Sequence, residues 1–393
     1  MFHLMFSLPC LVVLVRWLWP LPVSARSKLA SAVVLLLASQ YHLWSRLSSG
    51  SVFSPEFPKF LVIVFNWAFG AILLLAVFQL LLDLGACVVA LVRRRRVAIP
   101  ARLRAAIGIA AMLLAALGVM QAIKSPPLKD VQIEVRNLPP EFDGYRVLHL
   151  TDLHISRLFD APWTRKVVDD ANALGVDLIV ITGDLIDGNI AQREADVAAL
   201  RDLRAPDGVW VIPGNHEYFF GHSEWMAYFA GLSMTPLDNS HTVIKRGAGQ
   251  LVLAGVNDVT APQTGAPAPD LDAALRGAPA DVPIVLLDHQ PRNARFSASR
   301  GVALQLSGHT HGGMIIGLDR VVARANNGFV SGRYEVDGMT LYLNNGTALW
   351  PGFALRLGVP AELTRITLRR QAPSTAPSSP GARHAPEGQH PGY

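Results

Sequence analysis

Five short motifs carry side chains that could do chemistry: Thr151-Asp152-Leu153-His154, Gly183-Asp184, Gly214-Asn215-His216-Glu217, Asp288-His289 and Gly308-His309-Thr310-His311. Each follows an apolar run, which puts it at the C-terminal end of a strand, the edge where open α/β sheets bind ligands. Asp-x-His and His-x-His spacing places alternate side chains on one side of an extended or turning backbone, so two donors converge on one ion. The glycines permit tight turns and close backbone approach there. The donors are carboxylate, amide oxygen and imidazole, without thiolate, a set that suits Mn, Fe or Zn rather than copper or an iron–sulfur cluster. Seven candidate ligands are too many for one tetrahedral site and suit two divalent ions sharing a carboxylate, about 3.5–4 Å apart. Such a pair clamps a phosphate, lowers the pKa of a bridging water and stabilises the leaving oxygen.

The elements that must position these motifs can be read from the apolar runs. Strands are expected at 131–135, 146–150, 177–182, 208–212, 251–256, 284–287, 303–306 and 340–343. Helical stretches fall near 162–174, 190–203, 223–231, 269–276 and 292–299. Strands alternating with helix-length segments indicate an α/β sandwich, and no repeat of 20–50 residues is visible. Both cysteines, Cys10 and Cys87, precede this region, so it has neither a disulfide framework nor a thiolate metal site. That leaves the redox compartment open.

Ahead of it the chain is a different material. The whole sequence has 393 residues, 51% apolar and 17% charged, with a net charge of +5. So low a charge excludes a mostly disordered chain. Residues 1–123 hold eleven Lys and Arg against Glu56 and Asp83, a net of +9, and the remaining 24 basic and 28 acidic residues give −4. Apolar stretches at 4–22, 29–45, 60–92 and 104–123 predict about four transmembrane helices. The third is too long for one upright crossing, so a span near 60–82 is expected to run on past Asp83. Met1–Leu8 lacks the basic start of a cleavable signal peptide, so an uncleaved anchor is expected.

Arg93–Arg96 with Arg102 and Arg104 form the densest basic loop, which belongs in the cytoplasm. Their place between apolar stretches reads as topology, so no nucleic-acid partner is expected. The fourth span then puts all that follows on the outer, periplasmic side of a cell (inner) membrane. The expected organisation is a transmembrane region at 1–123, a linker at 124–130, a catalytic domain at 131–370 and a disordered Pro/Ser/Gly-rich tail at 371–393.

From Val131 to Leu368 the chain resembles the calcineurin-like metallophosphoesterase superfamily. It is most similar to its membrane-attached branch of YkuE/YaeI-type phosphodiesterases and to the animal transmembrane proteins of that layout. All five superfamily motifs occur in order, and the branch resemblance rests on Gly183–Gly188, Gly214–Tyr218, Gly308–Gly313, Leu341–Gly346 and Gly358–Leu363. The resemblance implies a four-layer αββα sandwich and two divalent metal ions. It assigns Asp152, His154 and His311 to the first ion, Asp184 to the bridge, and Asn215, His289 and His309 to the second. His216 would be the catalytic histidine, which binds no metal and approaches the substrate phosphate. It would stabilise the transition state or protonate the leaving oxygen. A metal-bridging hydroxide would attack phosphorus in line, with no covalent enzyme intermediate. Two positions depart from the branch pattern. Met314 stands where Gln is common, and Thr151 where Ser is.

Other polar residues have plainer readings. His149, His222 and His241 read as structural or surface residues. Asp288 would hydrogen-bond locally or orient a histidine, Asp187 would stabilise a turn or back up a ligand, and Glu217 would help hold the His216 imidazole. Asn344 and Asn345 read as turn formers, and Arg320, Arg324 and Arg333 as solvated surface or as contacts to a substrate phosphate or acidic headgroup. The sequence thus predicts a membrane-anchored phosphohydrolase acting on a phosphodiester or phosphomonoester. Location favours a phospholipid or lipid-linked phosphate. Two competing readings are a non-catalytic membrane sensor for a phosphorylated ligand and a cytoplasm-facing nucleotide or phosphoprotein phosphatase.

Overall fold

The computed structural model describes residues 2–371, so the tail expected to be disordered lies almost wholly outside the described residues. The N-terminal region is helical. α1 (Phe2–Val12) continues into a π-helical turn at Val13–Leu18, and α2 (Ala25–Ser39), α3 (Tyr41–Ser49), α4 (Lys59–Arg93) and α5 (Ala101–Ala122) follow. The apolar stretch at 29–45 is broken at Gln40 into α2 and α3. The long third stretch is one unbroken helix of 35 residues. At 1.5 Å per residue, α4 is about 52 Å long and exceeds the roughly 30 Å of hydrocarbon. Among the described residues, α4 and α5 are the two helices long and apolar enough to cross a membrane.

The strands are, in chain order, β1 (Leu128–Val135), β2 (Arg146–Leu150), β3 (Leu178–Thr182), β4 (Val209–Ile212), β5 (Thr235–Pro236) and β6 (Ser240–Arg246). They continue as β7 (Gly249–Gly255), β8 (Ile284–Leu287), β9 (Leu304–Ser307), β10 (Gly332–Val336), β11 (Met339–Leu343) and β12 (Leu363–Arg370). They make two mixed six-stranded sheets, ordered β1-β12-β2-β3-β4-β5 and β10-β11-β9-β8-β7-β6. Between them lie α6 (Ala161–Ala173), α7 (Ile190–Val197), α8 (Asn215–Phe219), α9 (His222–Gly231), α10 (Leu271–Ala274), α11 (Ala294–Ser299) and α12 (Asp319–Ala325). The helix expected at 190–203 gives way to a 3-10 turn after Val197, and that at 269–276 is only the four residues of α10.

The period-2 side-chain alternation of strands explains the cores. Val147 and Val180 of the first sheet meet Leu253 and Leu306 of the second in one buried cluster. Their neighbours Leu148 and Ile179 turn the other way, onto Val167 of α6 and Phe229 of α9. Leu286 and Leu341 pack on Ala274 of α10 and Ala294 of α11. Ile179 and Ile181 are fully buried, and truncating either to Ala would cost about 2–5 kcal/mol.

β12 was not expected from the sequence. The last strand of the described chain enters between β1 and β2, parallel to the former and antiparallel to the latter. β6 and β10 are further additions, each pairing antiparallel with the strand that follows it. The central strands carrying the motifs are parallel to one another, β2-β3-β4 in one sheet and β7-β8-β9 in the other. All five motif loops therefore leave their strands at C-terminal ends.

Candidate metal centre

The loops after β2, β3, β4, β8 and β9 hold their side chains in unusual backbone conformations. Asp152, His154, Asp184, His309 and His311 all have positive φ, between 43° and 70°. For residues with a side chain this costs on the order of 1–3 kcal/mol each and persists where function demands it. The glycines fit the same logic. A Cβ on Gly308 would collide with the Thr151 hydroxyl and the Asp152 carboxylate, and one on Gly183 with the backbone of Gly214.

Two groups of donor atoms result. In the first, His311 Nε2 lies 3.3 Å from His154 Nε2 and 3.4 Å from Asp152 Oδ1. In the second, His289 Nε2 lies 3.3 Å from Asp184 Oδ2 and 3.2 Å from Asn215 Oδ1. His309 joins Asp184 and His289 within 4.8 Å. Asp184 Oδ2 is also 3.9 Å from His154 Nε2 and 3.9 Å from His216 Nε2, so this carboxylate stands between the groups. All seven expected ligands are brought together, and His216 lies beside them.

The proton arrangement tests whether these residues fit a cation. His289 Nδ1 is 2.7 Å from the Thr182 carbonyl oxygen, which can only accept. In the neutral ring Nδ1 therefore carries the proton, and Nε2 turns a lone pair toward the oxygens of Asp184 and Asn215. His154 Nδ1 is 3.0 Å from Asp187 Oδ2 and donates in the same way, which aims its Nε2 lone pair at His311 and Asp152. Buried acceptors facing each other without a proton between them are unfavourable. A positive ion at each focus removes the conflict, so the donor set fits two divalent cations. Metal-binding histidines are commonly held this way, by a carboxylate or carbonyl on the other ring nitrogen.

Without an ion, a proton takes its place at the second group: burial lowers His289, but Asp184 and Asp152 outweigh it and hold the imidazole well above the usual range. Burial pushes Asp184 up, but His289, His216 and His154 outweigh it and hold its carboxyl well below the usual range. Burial lowers His216, yet Asp184 and Asp187 prevail and raise it to about 9. His309 is driven down to about 3, chiefly by burial with His289 adding to it.

Asp187 does more than stabilise a turn. Its two oxygens take the Nδ1 atoms of His154 and His216, so one carboxylate orients both imidazoles. Glu217 corrects an expectation. It does not hold the His216 ring but accepts the backbone N–H groups of Asp184, Leu185 and Gly214 at 2.7–2.9 Å, clamping two strand ends together. Asp288 is buried, and burial with nearby Asp258 raises it to about 8. His149 is wholly buried against the Thr182 hydroxyl, a structural residue as expected.

Two contributors were not foreseen. Arg356 is fully buried and donates to the carbonyls of Asn345 (2.7 Å), Ala348 (2.9 Å) and His311 (3.3 Å). It thereby fixes the loop behind a ligand. Phe53, from the loop between α3 and α4, stacks on Phe219 at 4.9 Å and meets the His216 ring edge-on at 5.4 Å. Ser54 beside it donates to the Asp187 carbonyl at 3.0 Å, and Glu56 pairs with Arg193. The helical region thus supplies one wall of the centre. Neither role has a local sequence signal.

A family model for calcineurin-like phosphoesterases matches residues 145–313, the span of all five motif loops. The chain carries a calcineurin-like metallophosphoesterase domain. An uncharacterized metallophosphoesterase of Helicobacter pylori is 32% identical over 253 residues, covering 64% of this chain and 66% of that protein. A transmembrane protein with metallophosphoesterase domain from Bos taurus is 35% identical over 270 residues, covering 65% and 60%. The chain thus spans less than two thirds of the length of these two relatives. The metallophosphoesterase YkuE of Bacillus subtilis is 28% identical over 239 residues, covering 59% and 82%. The Bos taurus relative is named as a transmembrane protein, and among the described residues of this chain α4 and α5 are long and apolar enough to cross a membrane.

Proposed function

We propose that the protein is a membrane-anchored phosphohydrolase with two divalent ions, cleaving a phosphodiester or phosphomonoester. The observation that carries this reading is the convergence of seven donor side chains on two foci, with the Nε2 atoms of His154 and His289 turned inward. Asp152, His154 and His311 would hold one ion, Asn215, His289 and His309 the other, with Asp184 shared. Mn, Fe and Zn fit this thiolate-free set. When bound, such a pair supplies Lewis acidity toward the phosphoryl oxygens and an activated water.

The chain's own residues do the rest. Asp187 holds His154 and His216 in fixed orientation, and the Thr182 carbonyl does so for His289. Asp187 holds His216 through Nδ1, which leaves Nε2 as the atom that can donate to a phosphoryl oxygen or to the leaving oxygen. Phe53 and Phe219 pack against the His216 ring at 5.4 Å each. This aromatic wall, with Trp350 beside Phe53, supports a substrate that carries an apolar group next to phosphorus, such as a phospholipid or lipid-linked phosphate.

The reading extends to architecture. The separate cores on the two faces of each sheet support a four-layer αββα sandwich over residues 131–370. The arginine cluster at 93–96 and the apolar stretches support about four spans over 1–123, with the catalytic domain on the outer, periplasmic side. The test is hydrolysis of bis-p-nitrophenyl phosphate by full-length protein supplied with Mn²⁺. Turnover by the wild type and its loss in Asp184→Asn are expected; no turnover, or an unchanged rate in the variant, would overturn the reading.

A further inference from the structure

We propose that the segment from Ile316 to Ala325 is a membrane-surface contact that rests on the lipid headgroups beside α4 and α5, so that the metal centre opens at the bilayer surface. The inference rests on the reading that these two helices span the membrane.

The segment begins just after the ligand His311. Ile315 bridges to Leu357 and Gly358. It also packs in one apolar cluster with Ala71 and Leu74 of α4, Ala115 and Val119 of α5, and Leu355. Leu355 fills a notch left by two glycines: a Cβ at Gly70 would come within 3.2 Å of its Cδ1, and one at Gly118 within 2.7 Å. The neighbouring Arg356 N–H donates to the Gly118 carbonyl at 3.0 Å. Asn66 of α4 brackets the same stretch, donating to Pro351 O at 2.8 Å and accepting from Ala354 N at 2.6 Å. The catalytic domain is therefore already seated against the apolar helices at Ile315.

The next residues turn outward. Ile316 is 74% exposed and Val321 58% exposed, and no residue of α12 is buried. Large aliphatic side chains presented this way, one and six residues beyond an apolar seat on candidate spanning helices, are misplaced in water and well placed at a bilayer interface. The charge pattern fits the same surface. Arg320 and Arg324, four apart on α12, are both exposed, whereas Asp319 is tied to the Gly317 N–H at 2.6 Å. Basic side chains beside inserted aliphatic ones favour anionic lipid. The occupant is thus the anionic lipid surface of the same membrane, and continuity with the helix contact sets the side from which it is met.

The experiment uses full-length protein in nanodiscs, with Cys10→Ser and Cys87→Ser as background and an environment-sensitive fluorophore on one introduced cysteine. Three positions are compared: Ile316→Cys, Val77→Cys on the exposed face of α4, and Phe296→Cys on α11, whose core cluster contains no residue of the helical region. The proposal expects blue-shifted emission and about twofold quenching by headgroup-level spin-labelled lipid at 316, as for an interfacial side chain. Position 77 should be quenched by mid-bilayer label and position 296 by neither. Lipid quenching at 77 with a water-like signal at 316 would overturn this proposal alone. Water-like signals at both would overturn the spanning reading and this inference with it. Arg320→Ala with Arg324→Ala should abolish any extra quenching that phosphatidylglycerol produces over phosphatidylcholine. An unchanged lipid dependence would overturn the charge contribution.

Discussion

Two polar clusters in this molecule, one around the buried Gln79 and Arg104 and one at the sheet edge, look alike by composition and differ in their protons. In the helical region, Arg104 donates to Gln79 at 3.0 Å, Gln79 donates to Asp83 at 2.8 Å, and Arg16 donates to Asp83 at 2.9 Å. Trp17 Nε1 completes the set by donating to the Arg104 carbonyl at 2.7 Å. Each of these donors meets an acceptor, so the cluster is a closed network that ties α4, α5 and the π-helical turn together. At the sheet edge, Asp187 and the Thr182 carbonyl take the Nδ1 protons of His154 and His289, so the Nε2 atoms of both rings turn toward His311, Asp152, Asp184 and Asn215. A closed network needs nothing further, whereas inward-facing imidazole nitrogens and carboxylates must take up a proton or a metal ion between them. Buried charge alone does not tell a ligand site from a strut, but the pairing does.

Four substitutions or treatments would break or sharpen this contrast. Asp184→Asn removes the carboxylate shared by both foci and should lower turnover about 10³-fold or more, read as kcat on a generic diester. Asp187→Asn leaves every expected ligand in place but frees two imidazoles, and should cost about 10–100-fold in metal affinity or activity. Titrating the apo protein with Mn²⁺ separates the two losses. Chelation should destabilise the catalytic domain, by about 4 kcal/mol if the ions are normally present at a thousand times Kd. It should leave the helical network untouched, which thermal melts with and without chelator would show. Gln79→Leu breaks the closed network and leaves Arg104 short of a partner. It should cost about 1–3 kcal/mol of stability, while kcat on the same diester stays within twofold of wild type.

How much of this was legible in the sequence follows from what each residue signals locally. Asp152, His154, Asp184, Asn215, His289, His309 and His311 were readable because each sits with a glycine or a second donor at the end of an apolar run. Those short strings encode the strand ends that bring them together. Asp187 was legible as a carboxylate that backs up a ligand, whereas Glu217 was misjudged, since only the crossing of the β3 and β4 loops decides that it meets backbone rather than a ring. Arg356 and Phe53 had no local mark. One acts through a loop folded under the site, the other through a loop joining two apolar helices, and both roles are products of long-range packing. β12 did carry a signal: Leu363, Ile366 and Leu368 are buried along a strand whose other positions are mostly polar. Its place between β1 and β2 could not be read from that alternation. The break of the second apolar stretch at Gln40 was likewise masked by the apolar residues on either side.

The central claim is that the sheet-edge cluster is built for two cations, and metal stoichiometry tests it most directly. Full-length protein purified without chelator and loaded with Mn²⁺ would be assayed for bound metal by elemental analysis, beside Asp184→Asn and Gln79→Leu. The account predicts two ions per chain in the wild type and in Gln79→Leu, and fewer than two in Asp184→Asn. A wild type that binds no ion after loading, or an Asp184→Asn variant that retains both, would contradict it.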